Sequence, residues 1–221
     1  MLAAAALAAG CGDDDAAPAV KDEPPRVLVA ALGDSIVAGS PAWDPDPGVR
    51  ETLGTGADER SQFEYWAERA APRLRFRNCG VFGERTDQIA RRLGECARGA
   101  NVLLVQGGIN DVAQGRDVRE AAADLREMVR RGRELGLEVA IANVLPWNNG
   151  GPPAAAPIRR LNELVRELAR TERVTRLDFH AALEDPARPD RMRPDWTSDG
   201  DHPSVEGYRR LGELVAKRVP R

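Results

Sequence analysis

Five apolar runs alternating with amphipathic helical patterns constrain this chain more than any other feature. Alternation of that kind builds an α/β domain around a parallel sheet. The runs are Val27 to Leu32, Leu74 to Arg77, Val102 to Val105, Val139 to Leu145 and Val174 to Phe179. Between them, apolar residues recur at helical spacing. Ile89, Leu93 and Ala97 belong to a helix expected from Thr86 to Arg98. Val118, Ala121, Leu125 and Met128 follow a start at Asp117 and Glu120. Ile158, Leu161, Val165 and Leu168 form the next helix, and Val205, Tyr208, Leu211 and Val215 the last, which starts at Ser204. The first and third runs are continuously apolar, as strands covered on both faces are, whereas the second and fifth alternate and so read as edges. The order 2-1-3-4-5 meets both conditions. The expected domain is a three-layer α/β/α fold with a five-stranded parallel sheet of flavodoxin-like order. Ligands bind such sheets outside the carboxyl ends of the strands, at the switch point, here between strands one and three.

A chain of 221 residues suffices for one such domain. Its N-terminus differs in composition. Met1 to Gly10 contains only Met, Leu, Ala and Gly, and is too short to span a bilayer, which takes about 20 apolar residues. It leads into Leu7-Ala8-Ala9-Gly10-Cys11, which resembles a bacterial lipoprotein signal cleaved before a lipidated cysteine. The departures are the missing positively charged n-region and Ala8 where leucine is usual. Residues 1–11 are therefore read as signal and anchor cysteine, 12–25 as an acidic, proline-bearing linker, and 26–221 as the folded domain. The protein is expected to be exported to the cell envelope, touching the membrane only through the lipid on Cys11. A formal net charge of −3 offers no basic face for a nucleic acid. Arginine pairs such as Arg91-Arg92 and Arg130-Arg131 read as solvated helix faces.

Export permits a disulfide between Cys79 and Cys96. The expected helix argues against it. Ten residues of helix from Thr86 would hold the two cysteines about 15 Å apart along the axis, beyond the roughly 7 Å that bonded Cα atoms allow. Cys96 reads instead as a core position beside Ile89 and Leu93. No Cys-x-x-Cys or histidine cluster offers a metal site.

Gly33-Asp34-Ser35 follows strand one and Gly107-Gly108-Ile109-Asn110-Asp111 follows strand three, so both loops border the expected crevice. A serine hydroxyl is a poor nucleophile until a base takes its proton. The chain holds 2 histidines, His180 and His202. His180 ends strand five beside Asp178 and reads as structural. His202 lies in Ser198-Asp199-Gly200-Asp201-His202-Pro203, three residues after Asp199. A tight turn could set that carboxylate against the imidazole, where it would fix the tautomer and stabilise the imidazolium. The long stretch from Ser40 to Gly56 has no clear periodicity and is expected as a loop near the crevice or a surface insertion.

Four blocks in order resemble the SGNH, or GDSL-type, esterase and lipase superfamily across the domain from about Val27. They are Gly33-Asp34-Ser35, Gly83, Gly108-Ile109-Asn110-Asp111 and Asp199-Gly200-Asp201-His202-Pro203. The resemblance implies Ser35 as nucleophile, His202 as general base and Asp199 as the acid that orients it. The implied oxyanion donors are the backbone N–H groups of Ser35 and Gly83 and the side-chain amide of Asn110. Where the family often shows Gly-Asp, this chain has Phe82-Gly83-Glu84-Arg85-Thr86, and Gly80 stays open as an alternative donor. The Gly-x-Ser-x-Gly elbow is absent. Asp34 reads as tying the loop down. With Trp43 and Trp147 it is among the residues that could border a substrate, and Trp196 is as ambiguous as the other tryptophans.

The resemblance implies hydrolysis of a carboxylic ester through an acyl-enzyme, with no metal or cofactor. The ester would be an acyl or acetyl group on a glycan, lipid or small metabolite. The same chemistry with a sugar alcohol in place of water would make an acyltransferase of the envelope. A non-catalytic envelope binding module would be expected to lack one of Ser35, His202 and Asp199, and all three are present.

Overall fold

The computed structural model describes Met1 and residues 26–219. Apart from Met1, the expected signal with Cys11 and the linker lie outside the described residues. The chain runs β1 (Val27–Gly33), α1 (Ser35–Ala38), α2 (Pro47–Leu53), α3 (Phe63–Ala70), β2 (Leu74–Gly80), α4 (Thr86–Arg91), α5 (Leu93–Cys96), β3 (Val102–Val105) and α6 (Ile109–Ala113). It continues with α7 (Val118–Glu134), β4 (Glu138–Ala142), α8 (Gly151–Glu172), β5 (Thr175–Leu177), α9 (Phe179–Leu183), β6 (Glu184–Asp185), β7 (Arg188–Met192) and α10 (Val205–Arg218). The main sheet has five parallel strands in the order β2-β1-β3-β4-β5. The expected three-layer α/β/α architecture and its strand order are therefore present.

Period-2 alternation within the apolar runs sends successive side chains to opposite faces. Ala30, Leu32, Leu103, Val105, Val139 and Ile141 pack against Ile89, Leu125, Met128, Leu161 and Val165 of α4, α7 and α8. Val29, Ala31, Val102, Leu104, Ala140 and Ala142 face the other way, onto Phe63, Phe179, Tyr208, Leu211 and Val215. Each fully buried Leu, Val or Phe contributes roughly 1.5–3 kcal/mol, so covering both faces dominates the stability. Among the described residues no helix is long and apolar enough to cross a membrane.

Several segments differ from expectation. Strand five is shorter, ending at Leu177, and Phe179 and His180 fall in α9, which Asp178 caps by accepting the Ala181 N–H. The stretch after Ser40 contains α2, started by Asp46, whose side chain accepts the Gly48 N–H at 2.7 Å. A two-stranded antiparallel ribbon, β6-β7, follows α9. The expected Thr86–Arg98 helix is broken. α4 ends at Arg91, Arg92 takes φ −91° and ψ −4°, and α5 restarts at Leu93. That break shortens the path from Cys79, and the Cα atoms of Cys79 and Cys96 lie 6.0 Å apart, joined by a disulfide. The two cysteines pair, contrary to expectation, because two short helices and not one straight helix lead to Cys96.

The last helix fixes the remaining geometry. α10 packs on α3, and close approach is possible because Gly212 lacks a Cβ, which would fall 2.4 Å from Trp66 Cβ and 2.5 Å from the Phe63 carbonyl oxygen. The buried Tyr208 hydroxyl donates to the Ser40 carbonyl at 3.1 Å. This bond ties α10 to the segment that leaves α1. Ser204 caps α10 by accepting the Gly207 N–H, and His202-Pro203 enters the cap directly.

Candidate active site

β1 ends at Gly33, and Asp34 caps the short α1 by accepting the Ile36 N–H at 2.9 Å. Gly33 allows the sharp exit: a Cβ there would lie 2.4 Å from Val37 Cγ2 and 2.7 Å from Gln106 Oε1. Ser35 is the first residue of α1, so its N–H has no intrahelical carbonyl. The carboxyl of Asp34 is fully buried, accepts from the Gln106 amide at 3.3 Å and is directed away from a role at the surface. Burial raises its pKa to about 6, against the opposing Ile36 and Gln106 hydrogen bonds and the charge of His202.

His202 Nε2 stands 3.1 Å from Ser35 Oγ, and its Nδ1 lies 2.8 Å from Asp199 Oδ2. Both Ser35, at 5 % exposure, and His202, at 9 %, are shielded from bulk water. The turn joining Asp199 to His202 is held by Asp199 Oδ1, which accepts the main-chain N–H groups of Asp201 at 2.8 Å and His202 at 2.7 Å. Burial works to raise the Asp199 pKa. The His202 ring and the two main-chain donors outweigh it and hold the carboxylate below its ordinary range.

The segment after β4 buttresses this turn. Trp147 Nε1 donates to Asp201 at 2.6 Å, Asn149 Nδ2 donates to the Asp199 carbonyl at 2.9 Å, and Asn148 N donates to the Gly200 carbonyl at 3.0 Å. Gly200 has φ +90°, and a Cβ there would fall 2.5 Å from Asn149 Oδ1. Trp147 thus has an assignable structural contact. Trp43 lies beneath the Arg50 guanidinium, 4.8 Å from its ring centroid, and Trp196 lies under Arg210 at 3.8 Å.

The expected donors beyond Ser35 come from the end of β2, the turn after it and the first turn of α6. Gly80 is packed against α1, where a Cβ would lie 2.0 Å from Ala38 N, and its own N–H is taken by Asn78 Oδ1 at 2.9 Å. Gly83 has φ +78° and open space where a Cβ would be, and its N–H meets no acceptor among the described residues. Asn110, in the first turn of α6, donates one amide N–H to the Glu84 carbonyl at 2.9 Å, which leaves its second N–H. Gly108 opens α6 at φ +114°, and a Cβ there would sit 2.5 Å from Leu161 Cδ2. Asp111, which follows Asn110, is buried and joins Thr86 of α4, accepting its N–H at 3.0 Å and its hydroxyl at 2.9 Å, with Arg116 at 2.7 Å.

Phe82 escaped the sequence reading. It is 65 % exposed, with its ring 5.9 Å from that of His202 and tilted by 33°. An aromatic in the short turn between Gly80 and Gly83 carries no periodic signal that would have singled it out. His180, by contrast, meets the Val144 carbonyl at 3.1 Å and Asn162 at 3.3 Å through Nδ1. Its Nε2 faces Glu184 at 3.5 Å and Asp190 at 4.0 Å. Among the described residues, His180, Glu184 and Asp190 form a group of side chains that could share a cation, yet Asp190 already pairs with Arg159 at 2.5 Å.

A hydroxyl, an imidazole and a carboxylate in this hydrogen-bonded order can strip a proton from the hydroxyl and stabilise the resulting imidazolium. The fold is shared with solved structures at low sequence identity. A protein described as lipolytic and of the G-D-S-L family, from Desulfitobacterium hafniense, is 18 % identical at a TM-score of 0.70, covering 87 % of this chain and 99 % of its own. A member of the lipolytic G-D-S-L family from Veillonella parvula is 17 % identical at 0.69, covering 86 % and 97 %. A variant of an acetyl-xylooligosaccharide esterase from Geobacillus is 20 % identical at 0.64, covering 87 % and 93 %. No curated protein matches the sequence. The family model for GDSL-like lipases and acylhydrolases spans residues 31–210, from the last residues of β1 into α10, and so takes in Ser35, Gly83, Asn110, Asp199 and His202 together. The chain belongs to the GDSL-like lipase/acylhydrolase family.

Proposed function

We propose that the protein is a serine esterase that hydrolyses carboxylic esters through an acyl-enzyme. Ser35 Oγ attacks the acyl carbonyl as His202 Nε2 takes its proton, and Asp199 holds the imidazole and balances its charge. The oxyanion is met by the N–H groups of Ser35 and Gly83 and by the free N–H of Asn110; losing one such donor typically costs about 10²–10³ in rate. His202 then returns the proton to the departing alkoxide, and water, deprotonated by the same ring, releases the acid. The observation that carries this reading is the Ser35–His202–Asp199 relay at 3.1 and 2.8 Å.

The exported location read from Leu7 to Cys11 forms part of the proposal. The Cys79–Cys96 disulfide supports it, because such bonds persist in oxidising compartments. Membrane association of the full-length protein should be lost in Cys11→Ser.

A fluorophosphonate probe should label the wild-type protein and leave Ser35→Ala unlabelled. Equal labelling of both would refute the assignment of the nucleophile. A panel of acetyl, short-acyl and long-acyl esters then reads the substrate class.

A further inference from the structure

Arg92 occupies the break between α4 and α5, and its guanidinium reaches two main-chain carbonyls and one side-chain carboxylate. Nη1 donates to the Cys79 carbonyl at 2.6 Å and Nη2 to the Gly33 carbonyl at 3.0 Å. Nε and Nη2 both donate to Glu84 Oε2, at 2.9 and 2.6 Å. Each contact falls on a segment that carries or leads into a group assigned above to the oxyanion. Gly33 is two residues before Ser35. Glu84 follows Gly83, and its carbonyl takes the Asn110 amide at 2.9 Å. Cys79 is the penultimate residue of β2, the strand from which the Gly83 turn departs, and its disulfide to Cys96 anchors α5, the helix that Arg92 precedes.

Resting on the acyl-transfer reading, we propose that Arg92 is a positioning residue that sets the spacing of the three oxyanion donors. It acts through Glu84 and the Gly33 carbonyl, without touching substrate. The planar fork of an arginine can bind a carboxylate and two carbonyls in one fixed geometry, which the single ammonium of lysine cannot reproduce. Oxyanion donors act only when preorganised about 2.7–3.1 Å from the developing charge. A small displacement of the Gly83–Glu84 turn therefore weakens the transition state while leaving ground-state binding alone. The same Arg92–Glu84 pair is partly shielded, at 25 % and 19 % side-chain exposure, so water replaces it poorly.

The test uses Arg92→Ala and Arg92→Lys in the full chain, with 4-nitrophenyl acetate as substrate and a trifluoromethyl ketone as oxyanion-forming inhibitor. The expected result is a kcat lowered roughly 10–100-fold in Arg92→Ala, with KM within about threefold. Inhibitor affinity should fall in proportion to kcat. Arg92→Lys should recover only a small part of either, and Glu84→Gln, which keeps an acceptor for Arg92, should retain more than Arg92→Ala. Melting temperatures identify folded variants, and Arg92→Lys serves if Arg92→Ala does not fold. A folded variant with unchanged kcat, or one whose kcat falls while inhibitor affinity holds, overturns the inference. A wild-type protein that neither hydrolyses the ester nor reacts with fluorophosphonate overturns the acyl-transfer reading instead.

Discussion

Ser35 Oγ and His202 Nε2 are separated by 167 positions in the chain and by 3.1 Å in the fold. The contact exists because β1 delivers Ser35 to the carboxyl edge of the sheet while α10, docked on α3 and tied to Ser40 through Tyr208, delivers His202 to the same edge. His180 has its ring nitrogens engaged by Val144, Asn162, Glu184 and Asp190. His202→Ala should therefore lower kcat for an ester substrate by about 10³-fold or more. His180→Ala should stay within a few-fold of wild type. Steady-state kinetics of the two variants decides the matter, and equal losses would refute the assignment of the base.

The Trp147–Asp201 hydrogen bond, at 2.6 Å, joins the segment after β4 to the turn that carries Asp199 and His202. Trp147→Phe keeps an aromatic ring and removes the indole N–H donor. Stability should fall by about 0.5–1.5 kcal/mol, and kcat several-fold, because the turn would hold His202 less firmly. Denaturant titration and kinetics measured on one preparation test both effects. If neither moves, the bond does not restrain the turn.

The disulfide closes a loop between residues separated by 17 positions. A loop of that size corresponds to about 3 kcal/mol of lost unfolded-state entropy. In a domain of this length, Cys79→Ser with Cys96→Ser should lower Tm by roughly 6–12 °C. Dithiothreitol should lower the wild-type Tm toward that of the double variant and leave the variant unchanged. A wild-type Tm that resists full reduction would show that the bond adds no stability.

Much of the sheet was legible because burial on both faces leaves a direct mark. Val102 to Val105 is uniformly apolar, whereas Leu74 to Arg77 alternates as an edge does. The pairing of Asp199 with His202 could be read from three-residue spacing in a turn-forming segment. The break at Arg92 could not, because Ile89, Leu93 and Cys96 keep one apolar face across it, and periodicity is blind to a kink that preserves the face. The same blindness hid the disulfide and the reach of Arg92 to Gly33 and Glu84. The β6-β7 ribbon was hidden for a different reason. Arg188-Pro189-Asp190-Arg191-Met192 lacks apolar alternation, and side-chain pairs such as Asp185 with Arg188 lie at the surface.

Asp34 gives a pH dependence of defined sign. Its carboxyl has a pKa of about 6 in the fold, against 3.8 ordinarily, chiefly through burial. Between those values the folded protein holds a proton that the unfolded chain releases. Stability from this group therefore falls as pH rises through the window, and the full cost of the buried charge is present above pH 6. A shift of that size corresponds to about 3 kcal/mol at most. Asp34→Asn retains a side-chain oxygen able to cap α1, since Asn and Asp are comparable at that position, and it removes the titration. The Tm of Asp34→Asn minus that of the wild type should become more positive from pH 4 to pH 7. A difference that stays flat across this range would mean that the Asp34 carboxyl does not titrate there.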